Sequence, residues 1–188
     1  MAGTEKTRDY TEKKIKRYKE QDPIKVSAYL QAISGIPKEK LAYVDETGID
    51  SYLYRTHCYS PKGMAVVGRV SGKKYRRVGI VAAKMGKEIL SPLRYDGTMD
   101  ARLFETWFET RLMRELSSGS VIVMDNAAFH RKKQLTFIAE NHGHTIIFLP
   151  PYSPELNPIE NFWAWLKQRL RNTLEHSLSL EFALMDCF

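Results

Sequence analysis

Two short apolar runs in the second half of the chain restrict the possible folds more than any other pattern. They are VIVMDN (121–126) and HTIIFLP (144–150), and the stretch between them, RKKQLTFIAENHG (131–143), has helical spacing and ends in glycine. Strands that are apolar throughout are typical of parallel sheets, because helices cover both faces of such sheets. A second helix pattern follows in NPIENFWAWLKQRLRN (157–172). This half of the chain therefore predicts a β-α-β-α unit with two parallel strands.

The middle of the chain predicts short strands that are joined by glycine-containing turns. Four stretches fit: LAYVDETG (41–48), MAVVGRVSG (64–72), YRRVGIVAAKMG (75–86) and KEILSPLRYDG (87–97). After them, DARLFETWFETRLMRELSSG (100–119) predicts a helix, with Asp100 as its N-cap and Gly119 at its end. An antiparallel meander followed by β-α-β-α units predicts an α/β fold in which helices flank a mixed sheet.

The first 40 residues differ in composition from the rest of the chain. Residues 4–40 are charged and helix-prone, and Pro23 behind Asp22 predicts the start of a helix. The stretch SGIPKEK (34–40) reads as a boundary. We therefore expect a helical lead-in or linker over residues 1–40 and one folded domain over residues 41–188.

The composition excludes several classes of protein. Hydrophobic residues make up 43% of the 188 residues, which is enough for a sizeable core in one domain. No apolar run approaches the length of a membrane span, and the N-terminus has no apolar signal region, so we expect neither membrane insertion nor export. The two cysteines, Cys58 and Cys187, predict neither a disulfide framework nor a zinc site, which favours a reducing, cytoplasmic setting.

The excess of positive charge lies in one half of the chain. The formal net charge is +7, and residues 1–100 hold 20 basic and 12 acidic groups, whereas residues 101–188 hold 9 and 10. Such an excess suggests a polyanionic partner, since contacts to phosphates dominate affinity for nucleic acids. The basic turn VSGKKYRR, including Lys73–Arg77, could follow a phosphate backbone, or its lysines could simply protect a sheet edge. Charge alone leaves a solvated basic arm as the alternative.

Three acids lie where a site is expected in such a sheet. Asp45 and Asp125 each end a strand pattern, and Glu160 lies at the start of the last long helix. Three converging carboxylates repel one another and raise each other's pKa, unless a divalent cation neutralises them. Mg²⁺ prefers oxygen ligands, and two such ions can stabilise both the attacking and the leaving oxygen of a displacement at phosphorus.

Each acid also has a structural interpretation. Asp45 and Asp125 could be turn formers, and strand alternation does not decide between Asp45 and Glu46, because a central strand is buried on both faces. For Glu160 the alternative is a capping box, with Asn157 as N-cap, Pro158 as the first helical residue and Glu160 at the third position. The residues alone leave these alternatives open.

Other candidate residues carry weaker signals. His130 follows Asp125 by five residues and could lie beside the same site. His57 and Cys58 are adjacent, but no second pair completes a zinc site. The ten tyrosines include none with an activating set of neighbours, so a covalent tyrosine nucleophile is not expected.

At these motifs the chain resembles the catalytic domain of a DDE transposase, a DDE superfamily endonuclease, in the bacterial insertion-sequence branch of the mariner-like superfamily. The motifs are YVDETGID (43–50), VIVMDNAAFH (121–130) and LPPYSPELNPIENFWAWLK (149–167), and the resemblance extends over about residues 15–172. The third motif is highly specific. The 34 residues between Asp125 and Glu160 match the spacing that is typical of this branch.

The resemblance implies a ribonuclease-H-like fold in which Asp45, Asp125 and Glu160 are the catalytic residues and bind two Mg²⁺ or Mn²⁺ ions. It implies cleavage and strand transfer at the ends of an insertion sequence, with double-stranded DNA as partner, both as transposon ends and as target. It also implies a homodimer in the active state and location in the bacterial cytoplasm, associated with the nucleoid. The prolines of the third motif predict a stiff arm that fixes where the Glu160 helix begins.

Members of this family usually carry an upstream helix-turn-helix region. About 40 residues precede the first predicted strand here, so we expect a catalytic half, which could be a second reading frame that works with a separate helix-turn-helix subunit, a truncated copy, or a fragment. The main alternative is an inactive or non-autonomous transposon remnant that only binds DNA or a partner subunit. A further alternative is a ribonuclease-H-like nuclease that acts on RNA–DNA hybrids or DNA junctions.

Overall fold

The structure, a computed structural model, describes residues 18–50, 60–65, 67, 72–73, 77–174, 177 and 179–187. Its strands are β1 (Leu41–Asp50), β2 (Arg77–Met85), β3 (Glu88–Asp96), β4 (Val121–Met124) and β5 (Thr145–Phe148). Its helices are α1 (Pro23–Ile33), α2 (Ala101–Trp107), α3 (Met113–Glu115), α4 (Lys132–Asn141), α5 (Ile159–Thr173) and α6 (Leu180–Met185). A π-helical segment, Phe108–Leu112, joins α2 to α3. Short 3₁₀ turns precede β1 and α5, at Lys38–Lys40 and Pro154–Leu156.

The five strands form one mixed sheet in the order β3-β2-β1-β4-β5. β1 and β3 both pair antiparallel with β2, whereas β4 is parallel to β1 and to β5. The predicted order of elements, an antiparallel meander followed by parallel strands, is therefore confirmed. The strand predicted over MAVVGRVSG (64–72) lies partly outside the described residues, and the described positions there, Met64, Ala65, Val67 and Gly72, are not in a strand.

Helices cover both faces of the sheet. On one face, Ala42 and Val44 of β1 and Ile122 of β4 pack with the helical region from α2 to α4. On the other face, Ile80 and Ala82 of β2 pack against α5 and α6. This double coverage explains why β4 reads as an uninterrupted apolar run. No helix within the described ranges is long and apolar enough to cross a membrane.

The described part of the lead-in packs onto the sheet. Asp22 caps α1 by accepting hydrogen bonds from the backbone amides of Ile24 and Lys25, so the predicted helix start is confirmed. Tyr29 of α1 is buried in a cluster that includes Val123 of β4. The lead-in residues 1–17 lie outside the described part of the chain.

The helix that was predicted over residues 100–119 is present with an irregular middle. The Asp100 side chain accepts a hydrogen bond of 2.8 Å from the Leu103 amide, which confirms the predicted N-cap. The helical region ends at Glu115, earlier than predicted, and Gly119 instead adopts a positive φ of 74° in the following turn.

The proline arm, residues 149–154 between β5 and α5, accepts hydrogen bonds from two other parts of the chain. The Asn126 side chain donates a 2.6 Å hydrogen bond to the Leu149 carbonyl, and Gln21 donates a 2.9 Å hydrogen bond to Ser153 Oγ. α5 begins at Ile159 with no side-chain cap, and Asn157 Oδ1 is buried without a hydrogen-bond partner. The capping box that was the alternative for Glu160 is therefore not formed: the Asn157 carbonyl accepts a 3.1 Å hydrogen bond from the Glu160 amide, but the Asn157 side-chain oxygen accepts none from the described residues.

Candidate active site

Asp45 lies in the middle of β1, the central strand, and faces α5. The prediction that Asp45 ends this strand was wrong, because the pairing with β2 continues to Asp50. It pairs with Ala82 of β2, and its Oδ2 accepts a 3.2 Å hydrogen bond from the indole Nε1 of Trp163 in α5. Glu46 points to the opposite face, where its Oε1 lies 3.5 Å from His130 Nε2. The alternation along β1 thus places Asp45, and not Glu46, on the face that α5 covers.

Asp125 is next to Asp45 because of the parallel register. β4 pairs with β1 so that Met124 lies opposite Val44, and the residues that follow each of them are Asp125 and Asp45. The Oδ1 atom of Asp125 accepts a 3.0 Å hydrogen bond from the Ala127 amide, and the side chain is 48% exposed. A partly exposed carboxylate at this strand end can reach a ligand from solvent.

Glu160 approaches from the start of α5. It lies in the first turn of the helix and is exposed. A cavity of about 480 Å³ has Asp45, Asp125 and Glu160 in its wall, and the proline arm from Leu149 to Pro154 forms much of the rest. The structure thus brings all three predicted acids to one cavity.

The acids in this cavity repel one another. The pKa of Asp45 is raised to about 8, first by burial and then by the negative charges of Glu160, Glu46 and Asp125. Among the residues that the structure describes, no basic side chain contributes to this shift. A cation in the cavity would therefore relieve a cost that the sheet and α5 impose on Asp45.

The groups around the cavity fit a hard divalent cation in their chemistry. The three carboxylates and the buried, unpartnered Oδ1 of Asn157 are oxygen donors, as Mg²⁺ and Mn²⁺ prefer. Across the described residues, however, no set of three or more histidine, cysteine, aspartate and glutamate side chains is arranged to hold a metal ion. Glu160 is exposed and is one of the residues that line the cavity.

Two residues at the site were not assigned from the sequence. Trp163 was part of the apolar pattern of α5, and nothing in that pattern showed that its indole would bond to Asp45. Tyr152 on the proline arm lines the cavity, is 56% exposed and has a positive φ of 58°. A positive φ at a non-glycine residue is a strained conformation, and such strain cannot be read from the residue type.

Some predicted candidates lie outside the described residues. His57 and Cys58 belong to this group, as do Lys74, Tyr75 and Arg76 of the basic turn. Cys187 is a free cysteine. The roles suggested for the basic turn therefore stay predictions.

Solved transposase structures share this fold. The Mos1 transposase paired-end complex with left transposon end has a TM-score of 0.63 at 12% identity, covering 85% of this chain and 53% of that one. The mariner Mos1 paired-end complex with Mg has a TM-score of 0.63 at 14% identity, covering 89% and 53%. The catalytic domain of Mos1 mariner transposase has a TM-score of 0.58 at 12% identity, covering 87% and 74%. The predicted ribonuclease-H-like fold is confirmed, and the chain spans about half the length of the first two chains.

Comparison of the sequence gave one curated relative and one family model. The protein named "Uncharacterized protein y4pE/y4sA" from Sinorhizobium fredii (strain NBRC 101917 / NGR234) is 41% identical over 64 residues, which cover 30% of this chain and 45% of that protein. The family model described as DDE superfamily endonuclease matches residues 40–181. That match takes in β1 to β5, α5 and all three acids of the cavity. The chain therefore belongs to the DDE superfamily endonucleases.

Proposed function

We propose that this chain is a transposase of the bacterial insertion-sequence branch, which cleaves DNA at element ends and transfers the cut strand to target DNA. In this proposal residues 41–188 are the catalytic domain and residues 1–40 a lead-in. The observation that carries the proposal is that Asp45 of β1, Asp125 directly after β4 and Glu160 of α5 line one cavity, with the pKa of Asp45 raised to about 8. Membership of the DDE superfamily endonucleases supports it.

The three acids are the groups that would hold two Mg²⁺ or Mn²⁺ ions. The chemistry that such ions supply when bound is stabilisation of the attacking and leaving oxygens at a phosphodiester. Asp45 and Asp125 contribute carboxylates from the fixed sheet, and the Glu160 side chain turns inward from α5. The arm from Leu149 to Pro154 lines the same cavity and would lie beside a DNA strand that is bound there.

The reaction consists of two transfers at phosphorus. Water attacks the phosphodiester at the element end, the P–O3′ bond breaks, and the products are a 3′-hydroxyl and a 5′-phosphate. The 3′-hydroxyl then attacks a phosphate of the target DNA and forms a new ester bond, while the target's P–O3′ bond breaks and releases a target 3′-hydroxyl. No covalent protein intermediate is needed, so the protein's residues bind, orient and neutralise charge instead of acting as nucleophiles.

A cleavage assay tests the proposal. The purified chain is incubated with duplexes that carry the element's terminal repeat, with Mg²⁺, with Mn²⁺ and with EDTA. Nicking or strand transfer that requires a divalent ion supports the proposal. DNA binding with no cleavage under any ion supports the inactive or non-autonomous remnant instead.

Trp163→Phe is expected to weaken cleavage about tenfold, because the indole no longer holds Asp45 Oδ2. Loss of an outer contact to a metal ligand typically costs about 10–100-fold in metal affinity or activity. The matched control is Trp107→Phe, since Trp107 is equally buried and donates its indole N–H to the Ser91 carbonyl, on the other face of the sheet. The free energy of unfolding should fall by similar amounts in the two variants. Only Trp163→Phe should raise the Mn²⁺ concentration needed for half-maximal cleavage. Equal cleavage by the two variants would show that the Asp45 contact has no role.

DNA binding by the chain alone is expected to be weak and steeply dependent on salt. We propose that a helix-turn-helix region, on a separate subunit, reads the terminal repeat, whereas the basic surface of this chain contacts only phosphates. Competition binding at two salt concentrations, with terminal-repeat and scrambled duplexes, measures both properties. If the chain alone binds the terminal repeat about 10³-fold or more tightly than the scrambled duplex, as in specific recognition, the proposal that a separate subunit reads the repeat is contradicted.

We also propose that the active form is a homodimer, because strand transfer must bring two element ends together. Sedimentation of the chain with end duplexes measures the stoichiometry. Two chains on paired ends are expected, and one chain acting on one end would contradict this part of the proposal.

A further inference from the structure

His130 lies in a closed pocket beside Asp125. Its ring centroid is 4.4 Å from that of Phe104 and 4.4 Å from that of Phe129, and its side chain is 2% exposed. Its amide donates a 3.0 Å hydrogen bond to the Ala127 carbonyl. Two aromatic rings and the turn after β4 thus hold the imidazole in one orientation.

The two ring nitrogens face carboxylates from two different strands. Nδ1 lies 3.4 Å from Asp125 Oδ1 and 3.5 Å from the Asp125 carbonyl oxygen, and Nε2 lies 3.5 Å from Glu46 Oε1. Neither Glu46 Oε1 nor His130 Nε2 has any other partner in the described part of the chain, and both atoms are buried. Each of these atoms is therefore the nearest available partner of the other.

The Asp125 carboxylate is held through one of its two oxygens. Oδ1 receives the Ala127 amide at 3.0 Å and faces His130 Nδ1 at 3.4 Å. The contacts described for this carboxylate all involve Oδ1, so Oδ2 is left to the cavity. A half-exposed carboxylate would otherwise rotate about its side-chain bonds.

We infer that Glu46 and His130 form a positioning pair, in which Glu46 fixes the imidazole and the imidazole fixes Asp125 so that Oδ2 is presented to a divalent cation. This inference rests on the proposed function. Adjacent residues of β1 then serve the same site from opposite faces of the sheet: Asp45 directly, and Glu46 through His130 and Asp125. Residues that do not touch the ion commonly orient the ligands of a metal site in this way, through hydrogen bonds.

The competing interpretation is that His130 only fills space between Phe104 and Phe129. Three substitutions separate the two. His130→Phe keeps a ring in the pocket and removes both nitrogens, His130→Asn places an amide nitrogen near the position of Nδ1, and His130→Gln places one near the position of Nε2. The control is His144→Asn, since His144 is also buried, at 4% exposure, but lies before β5, at the opposite end of the parallel strands.

The measurement is Mn²⁺ affinity without DNA, from the electron paramagnetic resonance signal of free Mn²⁺ during a titration. We expect His130→Phe and His130→Gln to weaken Mn²⁺ binding about tenfold or more, and His130→Asn and His144→Asn to stay within about threefold of the wild type. If His130→Phe does not fold, tighter binding by His130→Asn than by His130→Gln still supports the inference. Equal affinity across the folded His130 variants overturns it.

A double-mutant cycle tests the part played by Glu46. Glu46→Gln removes a charge near the cavity, and that effect is present whether or not His130 is. If Glu46→Gln lowers Mn²⁺ affinity more in the protein that keeps His130 than in the His130→Phe variant, the result supports the pair. Identical losses of affinity in the two proteins overturn it. A wild-type chain that binds no Mn²⁺ overturns the proposed function itself, whereas Mn²⁺ binding that is indifferent to His130 overturns only this inference.

Discussion

Asp45→Asn is expected to abolish metal-dependent cleavage and, at the same time, to stabilise the metal-free protein. The cleavage rate should fall by about 10³-fold or more, because a lost charge at a metal site removes several kcal/mol of transition-state stabilisation. The unfolding free energy at pH 8 should rise by at least about 1.4 kcal/mol, the value of one pKa unit. The amide keeps an oxygen that can accept the hydrogen bond of Trp163.

The stabilisation of this variant should depend on pH in a defined direction. The folded pKa of Asp45 is about 8, raised by burial and by Glu160, Glu46 and Asp125 from an ordinary value of 3.8. The folded state therefore binds more protons than the unfolded state between these values, and wild-type stability falls as pH rises through that window. The wild type and Asp45→Asn should converge in stability below about pH 4 and differ most above about pH 8.

Added Mn²⁺ should reverse this order. A cation that binds only the folded wild type stabilises it by about 2.7 kcal/mol at 100 times its dissociation constant, and Asp45→Asn should gain much less. Chemical denaturation with EDTA or with Mn²⁺ measures both effects. Asp50→Asn, at the exposed end of the same strand, is the matched control and should show neither. A metal-free Asp45→Asn protein that is less stable than the wild type at pH 8 would contradict the electrostatic account of the cavity.

Glu160→Gln is expected to remove cleavage without destabilising the metal-free protein. α5 begins without a side-chain cap, so Glu160 has no capping role that glutamine would have to replace. The substitution keeps the length and shape of the side chain and removes a negative charge from the cavity wall. The unfolding free energy of the metal-free protein should not fall at pH 8, because the substitution removes one of the negative charges that raise the pKa of Asp45. The cleavage rate should fall by about 10²–10³-fold, the cost of removing one charge-stabilising group from an active site.

The control for this variant is Glu155→Gln. Glu155 lies in the 3₁₀ turn of the same arm and is also exposed, but it is not among the residues that line the three-acid cavity. Rates are compared on one duplex with Mg²⁺ and with Mn²⁺. Near wild-type cleavage by Glu160→Gln would mean that two aspartates suffice and that Glu160 is not a ligand.

The sequence predicted most of the fold because its patterns are local. The apolar runs of β4 and β5 and the helix pattern between them specify a parallel unit, and Asp22 and Asp100 cap their helices as predicted. The capping box that was the alternative for Glu160 is not formed, because residue type shows that a cap is possible but not which hydrogen bonds the side chain makes.

The details of the site depended on tertiary contacts that no local pattern contains. Asp45 and Glu46 are neighbours on a strand that is covered on both faces, so the sequence could not choose between them. The choice follows from Trp163, 118 positions away, and from His130 on the opposite face. The role of His130 likewise depends on its contacts with Glu46 of β1 and with Asp125, which follows β4. Glu46 and Asp125 are close to each other only because β1 and β4 pair.

The most direct test of the account is anomalous scattering from crystals of the wild-type chain soaked in Mn²⁺. The central claim is that Asp45, Asp125 and Glu160 together hold the ions. We expect anomalous density in their shared cavity, at about 2.0–2.2 Å from carboxylate oxygens of Asp45 and Asp125, with the Glu160 side chain turned inward from α5. Density that is absent from this cavity at saturating Mn²⁺, or that lies only on other acids, would contradict the claim.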